Sequence, residues 1–253
     1  MRLGSRLKKF RLAAALFGIL ILGRSAFAAD VATPYKASVA EPAFSWAGFY
    51  FGIQGGGIWG RSQQSGPQVG EITNKFDLSG ASVGGEYGTN WQFGHWVLGM
   101  ESDSSWTSLK GSAPEVFNPI SGFTATTEAN YLAMSRVRIG YAQDRLLAYI
   151  TGGLADGYVQ VMSSGPAGSV SDNQFRLGWN AGTGVEWAFA PQWSAKVEYI
   201  HFDLGSSAYL NTAPSPFLSR ANGVSTNGDL VRVGLNYHYD LPGLLLKTVF
   251  GSH

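Results

Sequence analysis

Cysteine is absent from the 253 residues, which excludes structural disulfides, zinc sites built on Cys pairs, a Cys nucleophile and an N-terminal lipidated Cys. Charge is scarce too: Asp, Glu, Lys and Arg make up 14% of the chain, against roughly 25% in an ordinary soluble domain. After Leu22 no run of about 18 apolar residues occurs, so no transmembrane helix is encoded there. What is plentiful is glycine, with 34 residues, and aromatic side chains, at 13%. With 45% apolar residues the chain is too hydrophobic to remain disordered.

The formal net charge of +1 conceals an uneven distribution. Arg2, Arg6, Lys8, Lys9 and Arg11 form a basic start, Leu12 to Leu22 is unbroken apolar sequence, and Ala26-Phe27-Ala28 supplies the A-x-A cleavage pattern of a secretory signal. The apolar stretch is too short for a spanning helix, which needs about 20 residues. Residues 1–28 are therefore expected to be a signal peptide, 29–47 a periplasmic N-terminal segment, 48–239 a barrel and 240–253 a periplasmic tail. Removing the signal leaves twelve bases against seventeen acids, a net of −5. That excess of acid speaks against nucleic acid as a partner.

From Gly48 onward the dominant period is two, the signature of strands. In Phe175 to Phe189 one face carries Phe175, Leu177, Trp179, Val185 and Trp187, and the other carries Arg176, Gly178, Asn180 and Glu186. The contrast recurs in Gly48 to Gly60, Gly80 to Trp91, Trp96 to Thr107, Ala129 to Ala142, Trp193 to Asp203 and Leu230 to Tyr239. Asn130 is assigned to the polar face with Arg136 and Arg138. Leu146 to Val159 is an eighth strand whose faces the pattern leaves unassigned. Links at 92–95, 142–145 and 190–192 are as short as hairpins allow, whereas 61–78, 108–128, 160–174 and 204–229 read as long loops. Short turns at one end and long loops at the other describe an all-β, eight-stranded antiparallel up-and-down transmembrane barrel.

A soluble barrel with an apolar interior is the rival. Against it, aromatics gather near strand ends as membrane girdles do: Trp59, Trp91, Trp96, Trp106, Tyr141, Phe189, Trp193, Tyr237 and Tyr239. In the membrane reading the charged face is the lumen, and it holds Glu86, Glu101, Asp103, Glu186 and Glu198 against Arg136, Arg138, Arg176, Lys196 and Arg232. Eight strands enclose a space that side chains just fill, and buried ions must be paired. These ten residues are expected to form a salt-bridge plug.

Several motifs invite other readings. Gly55 to Gly60 matches G-x-G-x-x-G but does not pass from a strand into a helix, as dinucleotide binding requires. Gly80 to Gly84 matches G-x-S-x-G, yet Ser82 lies mid-strand without the sharp turn of a nucleophile elbow. His201 and Asp203 share a face near Ser206 and Ser207, the raw material of a Ser-His-Asp group, although nothing in the pattern fixes a nucleophile. His238 reads as a polar filler of the lumen, His95 as a hairpin residue and His253 as terminal; no pair has metal-site spacing. Phe117, Tyr209, Phe217 and Arg220 are loop residues with which a ligand or partner would make contact.

Five segments carry a family resemblance: Trp46-Ala-Gly-Phe-Tyr-Phe-Gly, Arg136-Val-Arg-Ile-Gly-Tyr-Ala, Tyr149-Ile-Thr-Gly-Gly-Leu-Ala, Gly182-Thr-Gly-Val-Glu-Trp-Ala-Phe-Ala-Pro-Gln-Trp-Ser-Ala-Lys-Val-Glu-Tyr and Val231-Arg-Val-Gly-Leu-Asn-Tyr. Together they resemble the small outer-membrane β-barrel proteins of alphaproteobacteria, of the porin family or outer-membrane immunogenic type. The resemblance implies a Gram-negative outer-membrane location, roles in envelope integrity and surface interaction, and haem-compound binding in some relatives; it does not imply a catalytic residue. Such barrels usually end on an aromatic residue of the last strand, whereas here Tyr239 is followed by a tail broken at Pro242-Gly243. The expected function is a structural and surface-interacting barrel without cofactor or metal; a narrow porin and an envelope-lipid hydrolase led by His201 are the alternatives. Expected partners are outer-membrane lipid and lipopolysaccharide, the barrel assembly machinery, and an extracellular ligand or host surface.

Overall fold

The computed structural model describes residues 44–66, 70–71, 73–116, 122–166, 168–209 and 222–239. The expected signal peptide, the 240–253 tail, and loop residues Phe117, Phe217 and Arg220 lie outside them. Eight long strands follow one another: β1 (Gly48–Gly66), β2 (Phe76–Phe93), β3 (Trp96–Pro114), β4 (Thr124–Gln143), β5 (Leu146–Gly165), β6 (Gly168–Ala190), β7 (Trp193–Tyr209) and β8 (Asn222–Tyr239). A two-residue piece, Gly70–Glu71, folds back on the end of β1. Each strand pairs antiparallel with the next, and β1 pairs with β8 from Phe49↔Tyr239 to Ser65↔Gly223, which closes the ring. Closure leaves none of the eight long strands as a free edge, the condition for a sheet to sit in lipid.

The alternation decides which way each side chain points. Phe51, Ile53, Val83, Met100, Ile139, Ile150, Leu177, Val197 and Val233 are exposed on the outer wall, while the residues between them face inward. The face of β5 is now assigned: Leu147, Tyr149, Ala155 and Val159 point in, and Leu146, Ile150, Leu154 and Tyr158 point out. Asn130 is a correction. It is the extra residue of a bulge between Ala129 and Tyr131, so the alternation slips there by one; Asn130 is exposed and Ala129 turns inward.

The short turns at 94–95, 144–145 and 191–192 occupy one end. Gly94 and Asp144 supply left-handed φ values of 63° and 51°. Each turn also accepts a backbone N–H from the neighbouring strand: Ala142 on His95, Ala188 on Arg145 and His238 on Gln192. At the other end the expected long loops are mostly strand. The strands run 17 to 23 residues, about twice the 9–11 that cross a bilayer, and β5 and β6 are joined by Pro166 and Ala167 alone, since Gly165 pairs with Gly168. Polar composition had suggested loops, but here the polar side chains sit on a sheet that projects beyond the apolar belt. Along β8 the outer face changes from Tyr239, Leu235, Val233 and Val231 to Asp229, Asn227 and Ser225, and along β6 from Leu177 and Phe175 to Asn173, Ser171 and Ser169.

The named aromatics mark both edges of the belt. Trp91, Trp96, Tyr141, Phe189, Trp193 and Tyr239 are exposed near the turn end, and Trp59 and Trp106 near the far edge. Tyr237 is half-buried because its ring packs between Phe51 and Trp193, at centroid distances of 5.5 and 5.1 Å. The belt predicts a depth-dependent cost. Val233→Arg, near mid-belt, is expected to lose about 2–4 kcal/mol of unfolding free energy in lipid vesicles, and Ser171→Arg, on the projecting wall, about 0–1 kcal/mol. Equal losses in a urea titration would show that the belt is misplaced.

Candidate functional site: the filled lumen

The inward faces build three tiers. Nearest the short turns, Trp46 lies fully buried beneath the barrel mouth among Phe44, Val97, Ala142, Leu147, Tyr149 and Ala188. It is pinned on three sides: its backbone N–H donates to Gln92 Oε1 (2.8 Å), its carbonyl accepts from Asn90 Nδ2 (3.0 Å), and its indole N–H donates to the Asp144 carbonyl (3.4 Å). The residues just before β1 thus form a stopper. The expected N-terminal segment included Trp46, but strand periodicity says nothing about a residue outside a strand, so this role had no signal in the pattern.

The middle tier is ionic. Lys196 is central: its Nζ lies 2.6 Å from Glu86, 3.1 Å from Glu101 and 3.1 Å from Glu198. Arg136 pairs with Glu101, and with Asp103 at 2.9 Å. Arg138 reaches Glu186 at 3.0 Å, and Arg232 reaches Glu198 at 2.7 Å and Asp103 at 3.1 Å. Nine of the ten residues expected in the lumen network meet here, all buried. Because β2, β3, β4, β6, β7 and β8 each contribute, the cluster ties the wall together across the lumen.

Arg176 is the exception and a correction. It is buried, but it sits towards the projecting end, donating to the carbonyls of Leu204 (2.8 Å) and Val224 (3.3 Å) and to the Tyr209 hydroxyl (3.4 Å). The expected five-to-five balance is thus five acids to four bases in the cluster. His238 adjoins it, with Nε2 at 3.5 Å from Glu186 and 2.8 Å from Ser194 Oγ.

Neutral groups complete the tier. Tyr50 donates to Glu101 and Tyr149 to Glu198, each at 2.7 Å, and Asn236 donates to Glu186 at 2.9 Å. Asn90 accepts from Arg138 at 2.9 Å. The Arg138 guanidinium also lies over the Tyr50 ring, 4.5 Å from its centroid. The alternation places Tyr50, Asn90 and Asn236 on the polar face, but only the fold pairs them with particular ions. Glu86, Glu101 and Glu198 bring their oxygens within 4.8 Å of one another, a grouping that would suit a cation; the Lys196 ammonium occupies that position.

Above the ions the lumen turns apolar. Ile58, Leu78, Leu109, Leu132, Met134, Val159, Ile200, Phe202 and Leu230 form one buried cluster. Tyr209, expected on a ligand-contacting loop, belongs to it. The bulge between Asp203 and Ser206, with Gly205 at φ 67°, shifts the alternation and turns Tyr209 inward. Burial raises its hydroxyl above the usual value, with Arg176 opposing.

The residues suggested for hydrolysis do not assemble. His201 Nδ1 bonds Asp229 at 2.9 Å on the outer wall, and its ring packs on Trp179. Asp203 accepts the Gly205 N–H (2.7 Å), and Ser207 donates to Gln174 (3.3 Å). His201 and Asp203 share a face, but they serve different partners.

The "Outer membrane protein beta-barrel domain" family model matches residues 14–239. The "31 kDa outer-membrane immunogenic protein" of Brucella melitensis biotype 1 is 34% identical over 231 residues, covering 85% of this chain and 94% of that one. The "25 kDa outer-membrane immunogenic protein" of Brucella abortus biovar 1 is 30% identical, with 76% and 83% covered. The "22 kDa outer membrane protein" of Rhizobium leguminosarum bv. viciae is 30% identical, with 67% and 69% covered.

Removing the central cation tests how far the charged tier supports the barrel. Lys196→Met leaves three buried carboxylates facing one another and is expected to cost about 3–5 kcal/mol. Adding Glu86→Gln should recover part of the loss, as coupled sites do. Urea unfolding read by heat-dependent gel mobility measures both; strictly additive losses would place Lys196 and Glu86 in separate environments.

Proposed function

Since the chain belongs to the outer-membrane protein β-barrel family, we propose that it is a non-enzymatic, non-conducting barrel that contributes to the envelope and presents its projecting end for surface interaction. The observation that carries this reading is the filling of the lumen at three heights by unlike means: the pinned Trp46, the ion cluster on Lys196, and the apolar cluster around Phe202. A hydrated solute would have to displace all three. Parting the buried ions without supplying new partners costs several kcal/mol per charge, so conduction requires rearrangement rather than diffusion through a standing pore.

Surface interaction rests on the projecting sheet. Its outer wall is polar, and connections at the end of a barrel vary in sequence without disturbing the wall that carries them. In this reading lipid and lipopolysaccharide surround the wall, the assembly machinery inserts it, and a ligand or host surface meets the exposed end. The non-enzymatic part is supported by the separate engagements of His201, Asp203 and Ser207.

Purified protein in a planar bilayer is expected to give no steady channel, and Trp46→Ala should remain closed because two tiers persist. Steady, large single-channel currents from the unaltered chain, abolished by Glu101→Gln or Arg136→Gln, would replace this reading with a narrow porin.

A further inference from the structure

On the outer wall, at the seam where β1 meets β8 and β2, a polar pocket of about 300 Å³ opens just beyond the aromatic edge. Arg61, Gln63, Lys75, Ser225 and Asn227 line it, together with Ser62. Its height is set by register. Trp59 stands opposite Asp229 and Ser79, and the next outward positions are Arg61 opposite Asn227 and Asp77, then Gln63 opposite Ser225. Aromatic belts sit at the level of lipid headgroups, so the pocket meets the headgroup layer of whichever leaflet lies at the projecting end.

Two cations face this space. Arg61 Nε lies 3.4 Å from Asp77, but the two side chains are 68% and 89% exposed, so the pair holds the guanidinium only weakly. Its terminal nitrogens are left to grip a phosphate in the bidentate manner that arginine favours. Lys75 is exposed and makes no ion pair among the described residues. The amide and hydroxyl groups of Asn227 and Ser225 add neutral donors.

Below the pocket the lipid-facing wall is lowered. A Cβ added at Gly57 would meet nothing within 4 Å, and one at Gly55 would meet only the Ser82 carbonyl, at 3.4 Å. At inward-facing Gly56, by contrast, a Cβ would lie 2.0 Å from the Val231 carbonyl. The fold therefore demands glycine at 56 and leaves space outside 55 and 57. Ala81 and Val231 flank Gly57, and Val83 and Val233 flank Gly55. Together they leave a shallow apolar trough that descends from Trp59 towards mid-belt.

A cationic pocket in the headgroup layer just above Trp59, with an apolar trough the width of one strand just below it on the same strand, matches the two ends of a phosphorylated amphiphile, the Trp59 ring marking the junction of headgroup and chain. We propose that this seam is a specific site for a phosphorylated glycolipid of the outer leaflet, its phosphate held by Arg61 and Lys75 and one acyl chain lying along Gly55 and Gly57. The proposal rests on the projecting end facing outward and is independent of whether the lumen conducts.

Native mass spectrometry of the full chain, folded in detergent and mixed with phosphorylated lipid A, tests it. Retention is expected for the phosphorylated lipid, and to fall at least tenfold for its dephosphorylated form and for the Arg61→Gln/Lys75→Gln variant. Gly57→Leu should weaken lipid A several-fold while leaving inorganic phosphate binding unchanged. Lys110→Gln, which removes an exposed cation paired with Glu128 elsewhere on the wall, is the control and should bind normally. Heat-dependent gel mobility verifies that each variant is folded. Equal retention of the dephosphorylated lipid, an unaffected double variant, or inorganic phosphate binding with no response of lipid A to Gly57→Leu would overturn the assignment. Phosphatidylglycerol bound as tightly as lipid A would also overturn it, reducing the pocket to general anionic-lipid contact.

Discussion

Closure of the sheet between β1 and β8 is the constraint from which the rest follows. Seventeen residue pairs from Phe49↔Tyr239 to Ser65↔Gly223 join the first strand to the last, and a ring of eight strands encloses only enough space for its own side chains. Every inward residue must therefore fit its opposite neighbours. Gly56 shows how tight the fit is, since β8 passes so close that no side chain can be placed there. Once the ring is shut, charges on the inner face have no water to turn to, and they must find one another.

The lumen is stratified because the barrel meets different surroundings along its height. Within the belt the outer wall is apolar and faces lipid, so the charges of β2, β3, β4, β6, β7 and β8 are turned inward and pair around Lys196. Beyond the belt the outer wall carries Asn227, Ser225, Ser171 and Ser169, and there the inner face holds no ion cluster but apolar side chains such as Leu78, Phe202, Leu204 and Val224, with Ser62, Gln64, Thr127 and Thr226 buried among them. A membrane barrel and a soluble barrel are rival arrangements of one strand pattern. This chain combines features of both, with its inner apolar cluster beginning inside the belt above the ions and continuing past the belt edge.

The ion cluster gains from being shared. A single buried ion pair often fails to recover its desolvation cost, but here most charges touch two or more opposite charges, and Tyr50, Tyr149, Asn90 and Asn236 occupy further hydrogen-bonding positions. Such a network brings its opposite charges together in only one register of the strands. A slip of one residue along any strand would turn its ions into lipid and its apolar face into the lumen, so the cluster specifies the register as well as filling the space.

Strand period, the sequence of short turns, the outer apolar wall and the inward direction of Glu86, Glu101, Asp103, Arg136, Arg138, Glu186, Lys196, Glu198 and Arg232 were all legible from residue order, because side-chain direction in a strand is a local property of period two. Asn130 and Tyr209 escaped that logic, since each lies at or just beyond a bulge, and a bulge is set by pairing with a neighbouring strand rather than by the chain's own pattern. The projecting sheet was hidden for a related reason: polar residues on its wet outer wall resemble a loop until their partners across the sheet are known. Trp46 as a stopper, Lys196 among three particular carboxylates, and the separation of Arg176 from the cluster depend on distances between residues far apart in the chain. Local alternation could assign a face; only closure of the ring could assign partners.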